Sequence, residues 1–263
     1  MPPFLIRLKK KLGRLKRNYQ SKYREIISFF IDLYYANINA KTLSDDKICI
    51  AVTTTKNYAN KTIPSLISNL EKIGISKKIV HVFEGGHVAN SSTNINGYYH
   101  HYIDNNSFDI TALIGIIELD LQQEYWLLLH DTISLKKSFK SLFLSIKPAG
   151  YDCMPLKPPP AMNMGVYSKS YLLKNKIYLQ GFSNKDYSQY SLMKMKKIAF
   201  EGEDFLFNTS ENKKYIHSSL SKYEYTKNSR YHNAPRLLEG YPQLGLIKYK
   251  ANFSLQNEWR ITL

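Results

Sequence analysis

The sequence predicts an α/β fold: a mostly parallel sheet flanked by helices, preceded by a basic helical segment. Three observations carry this expectation. The apolar runs Ile48–Val52, Ile79–Phe83 and Tyr125–Leu129 have the length and β-branched or aromatic content of buried strands, and polar residues follow each one. Segments 60–73 and 107–119 have helical periodicity and alternate with those runs, the β-α-β order of a parallel sheet. Residues 1–24 hold nine Lys and Arg and no Asp or Glu, which sets them apart from the rest of the chain.

Each element has a local reason. In residues 4–35, Leu5, Leu8, Leu12, Leu15, Tyr19 and Ile26 recur at intervals of three, four or seven, so one long amphipathic helix or two in series is expected. No run of about 20 apolar residues exists to span a membrane. The apolar block Ile26–Tyr35 is short, contains Asp32 and lacks a small-residue cleavage site, unlike a secretory signal. A helix of this kind suits an anionic membrane surface; packing on the domain, self-association and a nucleic-acid arm are the alternatives. The polar stretch 41–47 reads as a linker, which divides the chain into a segment 1–44 and a domain 45–263. Pro64 is expected in the first turn of the 60–73 helix. Residues 87–106 read as a long irregular loop, which in a compact domain points to function. A basic amphipathic helix is expected over 134–146 and a short strand over 161–167. An acidic turn near Glu201–Asp204 opens a further helix, and the Tyr-rich basic tail beyond 212 reads as irregular.

Composition narrows the class. With 263 residues, 43% of them hydrophobic, the chain can bury a sizeable core. Its 21 tyrosines suit polar clefts, because the ring packs while the hydroxyl hydrogen-bonds. Cys49 and Cys153 lie far apart with no metal spacing, so a reducing, cytoplasmic setting is expected. Residues 1–24 account for nine of the sixteen net positive charges. The moderately basic remainder suits an anionic ligand such as a nucleotide diphosphate.

The most informative segment is Tyr125–Thr132, an apolar strand that ends abruptly in His130-Asp131-Thr132. In open α/β sheets, ligands bind outside the carboxyl ends of the strands. A carboxylate delivered there can hold a divalent cation, and the cation a diphosphate. The plain alternative is that Asp131 caps the following turn.

Taken in order, segments within residues 47–210 resemble a nucleotide-sugar glycosyltransferase of the GT-A type, as found in bacterial surface-glycan assembly. Ile48–Val52 followed by Thr53, Thr54 and Thr55 resembles the strand and loop that touch the nucleoside. Phe83-Glu84-Gly85-Gly86 resembles the second strand end, where the resemblance implies that Glu84 meets the base. Trp126–Thr132 resembles the Asp-x-Asp metal strand. Met162–Gly165 resembles an acceptor-side strand with a small residue beneath the sugar. Gly202-Glu203-Asp204 resembles the Glu-Asp pair that supplies the catalytic base of inverting members.

The resemblance implies a GT-A-like, Rossmann-related sheet and a Mn2+ or Mg2+ cofactor. It assigns Asp204, with Glu203, to proton removal. It assigns Thr53, Thr54, Thr55, Glu84, Asp109, His130 and Asp131 to the donor, with Asn105 and Asn106 as further candidates. One departure stands out: the metal motif holds a single carboxylate, Asp131, between neutral His130 and Thr132. His232, or Arg230 and Arg236, would complete the site or replace the metal's charge. The paired His100 and His101 point apart in an extended chain and suit a solvated or lid role better than chelation.

These readings predict transfer of one sugar from a nucleotide diphosphate donor to a glycan or lipid-linked acceptor, with inversion favoured. The enzyme is expected in the cytoplasm, peripheral to the inner face of the membrane through residues 1–35. A non-catalytic, basic nucleic-acid-binding protein is the alternative, although no nucleic-acid motif is visible.

Overall fold

The computed structural model describes residues 3–37, 48–158, 163–183, 206–217, 224–232 and 234–250. In chain order the elements are α1 (Pro3–Asn37), β1 (Ile48–Thr55), α2 (Ala59–Lys72), β2 (Val80–Gly85), β3 (Ser91–Ile95), β4 (Tyr98–Ile103), α3 (Thr111–Glu118), β5 (Tyr125–His130), β6 (Ile133–Leu135), α4 (Lys137–Ser145), β7 (Cys153–Pro155), β8 (Gly165–Ser168), α5 (Lys169–Lys174), α6 (Lys176–Gln180), β9 (Tyr225–Tyr231), β10 (Ala234–Tyr241) and β11 (Leu246–Lys250). Short 3-10 turns precede β2, α3 and β11. They form two compact units: one from residues 1–39, 134–142 and 221–263, the other from 40–133 and 143–220.

The larger unit is an α/β layer structure. Its seven-stranded sheet runs β3-β4-β2-β1-β5-β8-β7. Strands β4, β2, β1 and β5 are mutually parallel, while β3, β8 and the β7–β8 pair are antiparallel additions. Alternation puts Cys49, Ala51, Phe83, Trp126 and Leu128 into one core with Leu113, Ile116 and Ile117 of α3. Ile50, Val52, Val82, Leu127 and Leu129 are buried too and point to the opposite face, where α2 buries Ile63, Leu66, Ile67 and Leu70. Both cysteines are buried and free, and burial pushes each thiol up to about 11, so they pack as small hydrophobes.

Two expectations for this unit are corrected. The segment 87–106 is not an irregular loop: Asn96 and Gly97, both at positive φ, turn a β3–β4 hairpin whose second strand joins the parallel sheet. Asn-Gly is the preferred pair for such a turn, but the flanking Asn, Ser, Thr, Tyr and His residues are too polar for hydropathy to flag strands. Pro64 is the sixth residue of α2 rather than a first-turn residue, so it removes one helical hydrogen bond.

The smaller unit joins the two ends of the chain. Its sheet has the order β6-β11-β10-β9, antiparallel across β11, β10 and β9. The tail expected to be irregular therefore contains three strands. Their buried positions include Tyr225, Tyr231 and Arg236, amphipathic residues whose polar tips hide the strand pattern. Helix α1 is continuous and packs against β9 and the 3-10 turn before β11, through Arg24 donating to the Glu224 carbonyl at 3.1 Å and a Lys227–Glu25 ion pair. Helix α1 falls in the same compact unit as the C-terminal strands. Among the described residues, no helix is long and apolar enough to cross a membrane.

Candidate functional site

The candidate site is built at the carboxyl edge of the parallel strands. From β1 the chain proceeds to β2 and β4 on one side and then returns to β5 on the other. This reversal falls between the ends of β1 and β5, the position at which open α/β sheets bind ligands. Register places Thr53 beside His130, and Thr54 beside Glu84.

Asp131 follows β5 directly. Its Oδ2 accepts hydrogen bonds from Thr54 Oγ1 at 2.7 Å and from Thr62 Oγ1, in α2, at 2.8 Å. Neither of these bonds uses Oδ1. Burial pushes the carboxyl up from 3.8 to about 6; the two threonine hydroxyls oppose this and the charge of Asp109 adds to it. An anion held in such surroundings is under-solvated and close to a like charge, so a cation placed beside it would be favoured.

Asp109 approaches from the 3-10 turn before α3, with Oδ1 3.7 Å from Nε2 of the buried His130. Thr53 Oγ1 donates to the Phe108 carbonyl at 2.7 Å. Phe108 is a bulky residue at φ +49°, so this bond helps hold a strained turn that presents Asp109.

Glu84 is buried at the end of β2. His87 Nε2 lies 2.7 Å from its Oε1 and His100 Nε2 lies 2.8 Å from its Oε2. Burial alone would raise its pKa, but the hydrogen bonds and charges of His100 and His87 together hold the carboxyl below its ordinary value. His100 and His101 do point apart, but both are buried strand residues rather than a solvated lid. His101 Nε2 meets His81 Nδ1 at 2.9 Å, and burial lowers these rings to about 4 and about 3, so both are neutral at pH 7.

Three buried asparagines lie on the same edge. Asn105 Nδ2 and Asn106 Oδ1, after β4, and Asn163 Nδ2, before β8, have no hydrogen-bond partner among the described residues. Extending the β5–β8 register sets Asn163 opposite His130. Buried carboxamides in this state are satisfied by water or by a ligand's hydroxyls. Gly85 has a positional reason: a Cβ there would come 2.6 Å from the Asn105 carbonyl. Gly165 has one too, since its Cβ would come 2.6 Å from the Met154 carbonyl, so close β7–β8 approach explains the small residue.

The structure thus brings together Thr53, Thr54, Asp109, His130 and Asp131, with Glu84 one strand away. Thr55 ends β1 in a half-buried position beside Gly85. Glu203 and Asp204 lie outside the described residues. His232 and Arg230 belong to the smaller unit, where His232 is exposed at the β9–β10 turn; Arg236 is buried in β10. Sequence reasoning missed Thr62 and His87. Thr62 sits 69 residues from Asp131, and nothing in its helical context signals the bond.

Among the described residues, no three His, Cys, Asp or Glu side chains group to hold a metal unaided. Asp109 lies close enough to Asp131 to raise its pKa, and a hard cation between two such carboxylates would take its remaining ligands from water and a bound phosphate. The sequence matches no protein-family model and no curated protein. The class that the fold defines is an α/β protein with a helix-flanked, mixed but mostly parallel sheet, compatible with a Rossmann-like arrangement.

Proposed function

We propose that this chain is a nucleotide-sugar-dependent glycosyltransferase of the GT-A type, acting in the cytoplasm on a glycan or lipid-linked acceptor of bacterial surface polysaccharide. One observation supports the reading: Thr53, Thr54, Asp109, His130 and Asp131 lie together at the strand reversal. The geometry suits a ligand with a diphosphate and several hydroxyls. Asp131 and Asp109 are the side chains that would hold Mn2+ or Mg2+, and the ion would neutralise charge on the departing diphosphate. His130, beside Asp109, would donate a ring N–H to a phosphate oxygen. The asparagines Asn105, Asn106 and Asn163 offer one acceptor and two donors to sugar hydroxyls. Asp204, with Glu203 beside it, takes the proton from the acceptor hydroxyl, and the sugar is transferred with inversion.

The test is thermal stabilisation of the full chain by UDP and GDP, each with and without Mn2+, alongside single-stranded oligonucleotides. A ligand at 100 times its Kd stabilises by about 2.7 kcal/mol. Nucleotide stabilisation strengthened by Mn2+, and release of nucleotide from a nucleotide sugar on addition of acceptor, are expected. Stabilisation by oligonucleotides alone, lost with salt, replaces this reading with the nucleic-acid one.

A further inference from the structure

Helix α1 leaves many of its large apolar side chains exposed. Its side chains that face the smaller unit's sheet are largely polar: Arg24 and Glu25 meet the Glu224 carbonyl and Lys227, Ser28 hydrogen-bonds with Tyr225, and Asp32 accepts from Ser138. Ile27 and Ile31 are half-buried, while most of the other described apolar side chains lie on the other side, exposed. Tyr19 is 78% exposed, Ile26 60%, Phe29 60% and Phe30 62%, and Leu12, Leu15, Tyr23 and Leu33 continue the stripe. At about 100° per residue this stripe covers an arc of roughly 120°, opposite the packed side. An exposed apolar face of this size on a folded unit marks a surface that another body covers.

Charge identifies that body. Glu25 and Asp32 are the only acidic residues of α1, and both are paired on the packed side. Lys16 and Lys22 are exposed at the two margins of the stripe, where long cationic side chains lay their stems over apolar surface and extend their ammonium groups outward. Residues 1–24 add nine cationic side chains and no acidic one.

We propose that α1 seats this protein on an anionic lipid bilayer, with the apolar stripe in the interface and the flanking lysines against headgroups. A second copy of the chain fits less well. Pairing two such helices, in either direction, sets a cationic surface against one that offers no carboxylate in return.

The test uses the full chain and vesicles of phosphatidylcholine with about one-third phosphatidylserine, read by co-sedimentation. Partitioning is expected to be at least about 100-fold stronger than on pure phosphatidylcholine and to fall away near 0.5 M salt, where the Debye length is only a few ångströms. Phe29→Glu/Phe30→Glu should weaken partitioning at least about tenfold while leaving the circular dichroism unchanged. Ile26→Ser is a milder second variant on the same stripe, expected to weaken it less. Unchanged partitioning of both variants overturns insertion of the stripe. Absence of vesicle binding overturns the proposal as well. A stable dimer that dissociates in the Phe29→Glu/Phe30→Glu variant would in that case assign the stripe to a second copy.

Discussion

Replacing Asp131 with Asn separates the charge of this residue from its place in the fold. An Asn carbonyl oxygen can still accept from Thr54 and Thr62, so the links from β5 to β1 and α2 persist. What disappears is a half-buried carboxyl whose pKa stands at about 6 in the folded chain against an ordinary 3.8. Because the folded value is raised, the stability contribution is complete below about pH 4 and is lost as pH rises through 6. The rise from 3.8 to about 6 corresponds to about 3 kcal/mol, and partial solvent access reduces this to about 2 kcal/mol. Urea unfolding of both proteins between pH 4 and pH 7 measures the effect. The variant should gain about 2 kcal/mol on the wild type across that range. Mn2+ with UDP should shrink the gain, because bound cation favours the ionised carboxylate of the wild type alone. Parallel stability curves for the two proteins would refute the burial argument. Unchanged transfer by the variant at saturating donor and metal would refute the functional role of Asp131.

Glu84→Gln removes the acceptor charge between His87 and His100, and should lower stability at pH 7 by about 1–3 kcal/mol in urea titration. The folded pKa of Glu84 lies below its ordinary 4.5, so the difference between the two proteins should fade as pH drops through the folded value. Asp204→Asn should reduce kcat about 100-fold or more with little change in nucleotide Kd, whereas Glu203→Gln should transfer at close to the normal rate. Loss in the Glu203 variant alone exchanges the two roles, and normal turnover in both removes the Glu203-Asp204 pair from the mechanism.

The strands β1, β2 and β5 and helices α2 and α3 were legible in the sequence because each buries one continuous apolar run or stripe. Hydrophobic periodicity is a local property, set by which side chains must leave water. The same reasoning placed Asp131 at a strand end, since a buried parallel strand stops where polar residues begin. Strands β4 and β9 escaped it because their buried positions are filled by His100, His101, Tyr225 and Tyr231, whose polar groups find partners only after folding.

The sequence by itself determined the β-α-β order, the placement of Asp131 at a strand's carboxyl end and the basic character of the N-terminal helix. Tertiary structure alone decided how these features are used. It tied Asp131 to Thr62 across 69 residues, which both anchors and desolvates the carboxylate. It bound both oxygens of Glu84 to histidines. It also paired Glu25 and Asp32 with residues more than 100 positions away, turning the apolar stripe of α1 outward. Apolar burial follows from patterns a few residues long, whereas hydrogen bonds and ion pairs depend on which distant groups the fold brings within about 3 Å.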